Sequence, residues 1–185
     1  MNRLLAACGA AALLLLAACG APVTTTAAKP AAHHTSATHP KPAARPATQA
    51  RVGDALTLTG NTAGEKMRVV VVRVYRHAQP ASTLDAAPAG KRLVAVQFRL
   101  TDIGAKPYSD APSNSAVVVD SQGQSYQASL SSTSACQSFP GTENIPAGGV
   151  GLGCVVFQVP AAAKITRVQF TLDSGFGPVT GEWRV

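Results

Sequence analysis

The serine of Asp173-Ser174-Gly175-Phe176-Gly177-Pro178 stands between a carboxylate and a glycine, a setting in which a hydroxyl can be presented for nucleophilic attack. Such a hydroxyl needs a base beside it and a third group to orient the base. His77, in Tyr75-Arg76-His77-Ala78, is the only histidine beyond residue 39. A hydrolase built on these residues is the least favoured functional reading, and the expected role of 173–178 is a turn before the last strand. The carboxylates Glu65, Asp85, Asp102, Asp110, Asp120, Glu143, Asp173 and Glu182 are scattered through turn-like stretches. No spacing forces two of them across a cleft, as glycoside hydrolysis requires. Asp102 and Asp110 frame a loop that is a candidate for calcium. Gly148-Gly149-Val150-Gly151-Leu152-Gly153 leads into an apolar run with no following helix or lysine, so it is no phosphate cradle. A turn and a bulge are expected there instead. No catalytic residue, no cofactor and no enzymatic activity are expected.

The cysteines carry more. Arg3 is the only charge before Lys29, and residues 4–18 are almost entirely Leu and Ala. That apolar stretch is too short to span a bilayer core of about 30 Å as a helix. It ends in Leu16-Ala17-Ala18-Cys19. The segment resembles a bacterial lipoprotein signal peptide with these four residues as its lipobox. The resemblance implies cleavage before Cys19, a diacylglyceryl group on its thiol, and a home on the outer face of the cell membrane. Leu5-Ala6-Ala7-Cys8 repeats the local pattern without an apolar run before it, and is read as part of the discarded peptide. Two or three acyl chains give lasting attachment where one gives only marginal binding. In an exported, oxidising setting the two remaining cysteines, Cys136 and Cys154, are expected to form a disulfide. The loop it closes corresponds to about 3 kcal/mol in the chain-entropy picture.

Residues 19–50 hold Ala, Pro, Thr, Lys and His, with no large apolar residue after Val23. Such a stretch cannot bury a core and reads as a disordered spacer, biased toward extended geometry by its prolines. His33, His34 and His39 within it support the alternative function, capture of Zn or Cu, because short His-rich tracts bind such metals. Lys29, Lys41, Arg45 and Arg51 form a sparse basic string suited to anionic lipid or wall polymers. The chain as a whole carries a net charge of +7 and a pI near 9.6. Its basic residues are dispersed and not interleaved with aromatics, and an exported protein meets no genome, so nucleic acid is excluded as a partner.

Residues 51–185 form the expected folded domain, long enough to bury about two thirds of its unfolded surface. Its elements read as strands. Residues 55–58 precede a turn at Gly60-Asn61. Residues 67–75 contain the Val69–Val72 run, which predicts burial on both faces or a bulge. Residues 91–101 alternate, with Val94, Val96, Phe98 and Leu100 inward and Ala95, Gln97, Arg99 and Thr101 outward, the mark of a half-exposed strand. Residues 116–119 and 124–128 flank the turn Asp120-Ser121-Gln122-Gly123. Residues 152–159, 165–172 and 179–185 complete the set. Residues 78–90, 103–115 and 131–146 are left as loops long enough to make contacts. Trp183 is placed in the core or at a sheet edge. About seven short strands with Gly, Pro and Asx turns predict an all-β, antiparallel, immunoglobulin-like sandwich.

Three stretches sharpen that expectation. Val52-Gly53-Asp54 opens the domain, Ala89-Gly90-Lys91-Arg92-Leu93-Val94-Ala95-Val96 runs on to Thr101-Asp102, and Ile145-Pro146-Ala147-Gly148-Gly149 precedes Val155-Val156-Phe157-Gln158-Val159-Pro160. In this order, with Asp120-x-x-Gly123-x-x-Tyr126 between them, they resemble the telokin-like, immunoglobulin-like domains of unknown function on Gram-positive lipoproteins. Those are related in fold to a small secreted mycobacterial antigen. Asp102 departs from the Asn usual there, but accepts the same local backbone hydrogen bonds. The resemblance implies a fold and an address and carries no active site. The function expected is a lipid-anchored envelope protein whose domain is a non-enzymatic binding module. Its partners would be the membrane, through Cys19, and a protein or wall component.

Overall fold

The computed structural model describes residues 48–185. The peptide 1–18, Cys8, Cys19 and the histidines at 33, 34 and 39 lie outside the described residues, as does most of the expected spacer. The described residues 48–185 fall in one compact unit. Every buried apolar side chain among the described residues falls between Ala50 and Trp183, so this part holds a complete core by itself.

The architecture is the expected all-β sandwich. One sheet runs β1 (Thr48–Arg51), β11 (Thr180–Arg184), β10 (Ile165–Thr171), β6 (Ala116–Asp120) and β7 (Ser125–Gln127). The other runs β2 (Ala55–Thr59), β3 (Lys66–Ala78), β4 (Lys91–Asp102) and β9 (Val150–Pro160). All pairings within the sheets are antiparallel except β1 with β11. A third, two-stranded piece joins β5 (Tyr108–Asp110) to β8 (Glu143–Ile145). A one-turn helix, α1 (Pro112–Ser115), links β5 to β6.

The core follows from period-two patterning. Leu56, Leu58, Met67, Val69, Val71, Val94, Val96, Phe98, Leu100, Val155 and Phe157 point inward from one sheet. Ala116, Val118, Val168, Phe170 and Trp183 meet them from the other. The Phe98 and Phe170 rings lie 5.1 Å apart across the layers. Trp183 is fully buried and its indole N–H donates to the Asp54 carbonyl at 3.0 Å, which satisfies the one polar atom that burial would otherwise strand.

Several expectations change. β1 starts at Thr48, three residues before the boundary read at residue 51; its pairing with β11 orders residues that composition alone assigns to the spacer. The loop read over residues 103–115 contains β5 and α1, and β8 falls inside 131–146; three-residue strands leave no periodic signal. The Val69–Val72 run resolves as a bulge between Val71 and Arg73, with one face of β3 outward. No bulge follows the glycine-rich run, because β9 pairs with β4 in unbroken register from Val150 to Pro160. Gly153 serves close approach: an added Cβ would lie 2.6 Å from the Phe139 ring. Ala95 is fully buried instead of outward-exposed.

The burial of Ala95 has a specific cause. Ala78, Leu93, Ala95 and Val156 form a second small core on the outer face of the β2–β3–β4–β9 sheet, covered by Ala87 and Cys136. The covering strap, residues 129–140, lies along the free edge of β9. Ser129 N–H donates to Val156 O at 2.7 Å, Cys154 N–H to Gln137 O at 2.8 Å, and Phe139 N–H to Cys154 O at 3.2 Å. Cys136 and Cys154 are joined by a disulfide with Cα atoms 6.0 Å apart. The strap is tied to the preceding loop as well, through Thr133 Oγ1 on Gln79 O at 2.6 Å and Ser132 N–H on Asp85 at 2.6 Å.

Candidate functional site

The most constrained backbone of the domain follows β10. Asp173 (φ 54°), Ser174 (φ 53°) and Gly175 (φ 91°) all adopt left-handed conformations. For a non-glycine residue this costs of order 1 kcal/mol, so two in succession persist only where other contacts fix them. Those contacts are present. The Asp110 carboxylate accepts the Ser174 N–H at 2.7 Å and the Ser174 hydroxyl at 2.5 Å. It also accepts Ala111 N–H at 2.7 Å and Ser115 Oγ at 3.1 Å. From the β2–β3 turn, Asn61 N–H donates to Asp173 at 2.7 Å and the Asn61 amide donates to Phe176 O at 3.1 Å. Gly177 N–H closes the turn onto Leu172 O at 2.9 Å.

This turn thrusts Phe176 outward, its side chain 83 % exposed. Below the ring lies a cleft of about 430 Å³ lined by Ser113, Asn114, Gln127, Ala128, Ser129, Leu130 and Ser174. Leu130, which also lines the cleft, is fully exposed. The cleft adjoins a second hollow over the outer face of the β1–β11–β10–β6–β7 sheet, reached past Gln127 and bordered by Gln169 and Thr180. No ionisable side chain lines either hollow. The lining offers neutral hydroxyl and amide groups between two exposed apolar side chains, which suits an uncharged polar chain.

Electrostatics sit behind the turn. Burial raises the Glu65 carboxyl above its ordinary value, and Asp173 raises it further by its charge and by a hydrogen bond. Burial likewise pushes the Tyr108 hydroxyl far up, with the Asp110 charge adding to it. Carboxylates from the β2–β3 turn, from β5 and from the turn after β10 thus converge at one end of the sandwich.

The residues singled out by sequence fall as follows. Ser174 is brought to Asp110, not to His77. Asn61, which holds the Ser174 turn, precedes β3, whereas His77 stands at the other end of that strand; nearly the whole length of β3 separates them. Asp102 is buried and accepts Gly104 N–H at 2.8 Å and Tyr108 N–H at 3.0 Å. Both of its oxygens therefore close the loop from within, and no group of three or more His, Cys, Asp or Glu placed to hold a metal occurs among the described residues. The Asp120 turn is structural: its carboxylate accepts Gln122 N–H, Gln124 N–H and the Tyr126 hydroxyl at 2.8–2.9 Å. Of the three contact loops, 103–115 supplies Ser113 and Asn114 to the cleft, while 131–146 is bonded to 78–90 through Ser132, Thr133 and Ser134 and to β9 and β5 along the rest of its length. Asn61, Gln127 and Leu130 were missed. Their roles depend on partners far away in sequence, and no local spacing marks them.

Comparison with known proteins is consistent with this architecture. A family model described as a domain of unknown function, DUF4352, matches residues 59–178. Among solved structures, MPT63, a secreted protein from Mycobacterium tuberculosis, aligns with a TM-score of 0.56 at 15 % identity, over 75 % of this chain and 98 % of that one. The yjhA protein from Bacillus subtilis aligns with a TM-score of 0.51 at 9 % identity, over 74 % and 98 %. At these identities the likeness is one of fold. No curated protein matches in sequence.

Proposed function

The chain belongs to the DUF4352 family, a domain of unknown function, and from that premise we propose that it is a lipid-anchored protein of the extracytoplasmic envelope. Its sandwich is a non-enzymatic module that binds an uncharged, hydroxyl-rich chain such as a wall glycan in the cleft beneath Phe176. The anchoring half is supported by the apolar stretch ending at Cys19 and by the disulfide, which belongs to an oxidising compartment. That the fold is shared with a protein described as secreted agrees with it.

The observation that carries the binding half is the over-determined turn at 173–177. Backbone strain fixed by distant partners clusters at binding sites, ligand clamps and switch regions, and here it holds an aromatic ring in solvent. An exposed ring gives a sugar face a stacking surface, and the neutral amides and hydroxyls below it give hydrogen bonds without the desolvation cost of charge.

Two measurements test this. Mass spectrometry of the mature protein should show a diacylglyceryl group on Cys19, and Cys19→Ala should release the protein from the membrane; an unmodified amino terminus refutes the anchor. Calorimetric titration of solubilised wall glycan fragments should give saturable binding that falls at least about tenfold in Phe176→Ala, the loss of one stacked aromatic contact. Binding unchanged by that substitution refutes the cleft.

A further inference from the structure

The outer face of the β2–β3–β4–β9 sheet is divided. One half lies under the strap and the disulfide. The other half is bare, and its side chains can be read from the strand register. Thr57, Arg68, Thr101 and Val150 stand in one cross-strand row, and Ala55, Val70, Arg99 and Leu152 in the next. Lys66 and Ile103 extend the face beyond the first row, and Arg73 follows the second, its guanidinium 4.9 Å from the centre of the Tyr75 ring.

Two properties of this face stand together. Lys66, Arg68 and Arg99 are exposed, and no carboxylate occurs in these rows; the ion pair Arg167–Glu182 lies on the other sheet. Between the cations project Val150 (60 % exposed), Leu152 (53 %) and Ile103 (38 %), three of the seven large apolar residues left exposed among the described residues. A face built only to hold a soluble polyanion has no use for protruding aliphatic side chains. A face built only for a protein core does not place unpaired arginines among them. Cations that meet anionic headgroups, with aliphatic side chains reaching between them, are the chemistry of a bilayer interface.

We propose that this half-sheet docks the domain flat against an anionic phospholipid bilayer. The cleft under Phe176 borders the outer face of the opposite sheet, so a docked domain turns it away from the lipid and toward the wall. The proposal goes beyond the glycan reading and draws on the anchored reading only for nearness to a membrane. Only 28 residues lie between Cys19 and Thr48, a length for which chain statistics give a reach of roughly 30 Å, and such confinement near an acylated Cys19 makes a weak surface contact effective.

The test uses residues 44–185, which contain the whole core and no acyl site, so its failure leaves the anchored reading standing. Cosedimentation is measured with phosphatidylcholine vesicles with and without phosphatidylglycerol, and with soluble polyglycerol phosphate. Binding to the anionic vesicles alone is expected, weakening with salt. It should fall at least about tenfold in Arg68→Glu/Arg99→Glu, since each basic residue near the surface contributes additively. It should fall severalfold in Val150→Ser/Leu152→Ser, two positions that are more than half exposed and outside the core, so the fold is expected to stay intact. Absence of vesicle binding, binding that survives the charge reversal, or equal affinity for the soluble polymer with no effect of the Val150/Leu152 change each overturns the proposal.

Discussion

The turn at 120–123 and the turn at 172–177 both reverse the chain beside β6 and β10, but by opposite means. At the first, Asp120 gathers Gln122 N–H, Gln124 N–H and the Tyr126 hydroxyl, all within six residues, and Gly123 takes the positive φ of 82°. At the second, two non-glycine residues take positive φ, and the groups that compensate them come from Asp110 and Asn61, sixty-four and more than a hundred residues away. The local turn would form on its own terms. The distant one exists only once the two sheets, β5 and the β2–β3 turn are assembled, and it is the one that carries the exposed ring. Strain and long-range support mark the turn proposed to bind ligand; glycine and self-sufficiency mark the other.

That contrast can be broken most forcefully at Asp110. Asp110→Ala removes the acceptor of four hydrogen bonds and should destabilise the domain by about 3 kcal/mol in denaturant unfolding. It should also abolish ligand binding by releasing the Ser174 turn. A loss of stability with binding intact would show that the turn is held by something else. Gly123→Ala probes the other turn. Nothing lies within 4 Å of the added methyl group, so the whole effect, about 1 kcal/mol, is the backbone cost of left-handed φ, and ligand affinity should not change. Asn61→Ala removes only the amide bond to Phe176 O. It should cost about 1 kcal/mol and weaken binding more than stability, since it loosens the ring's mounting.

The smallest expected effects are electrostatic, and they have opposite signs. The hydrogen bond from Tyr126 holds the Asp120 carboxyl below its ordinary 3.8, so this group stabilises the fold above that pH and the contribution is lost as the medium is acidified. Glu65 is raised above its ordinary 4.5 by burial and by Asp173. The folded chain therefore holds that proton more tightly, and stability from this group is present below 4.5 and lost as pH rises through its folded value. Thermal melts across pH 2.5–7, a range set by these two values, should show Asp120→Asn flattening the acid-side loss and Glu65→Gln raising stability near neutrality. Melts that move together in the two variants would erase the distinction between the turns.

The same division explains what could be read in the sequence. Period-two alternation in 91–101 and 165–172 places Phe98, Leu100, Val168 and Phe170 inward because that pattern is a property of the strand itself. Asp120-x-x-Gly123-x-x-Tyr126 is visible for the same reason: donor, acceptor and hinge are neighbours. Ala95 was misplaced because its cover comes from residues 79–90 and from the strap around Cys136, not from its own strand. Asp173-Ser174-Gly175 attracted attention as a hydrolytic motif, yet its serine hydroxyl points to Asp110. No residue near 110 announces that pairing, which is made by the closure of a sandwich.

One bond described above sets a schedule for the molecule. With Cys136 and Cys154 joined, the strap occupies backbone donors and acceptors of β9 that would otherwise stand open. With the disulfide reduced, those positions are held by hydrogen bonds alone, and an unpinned strand border invites a second copy to add to it. The disulfide between Cys136 and Cys154 pins that border shut, and protein prepared with the bond reduced is expected to self-associate more readily than the oxidised form, as light scattering of the two would read.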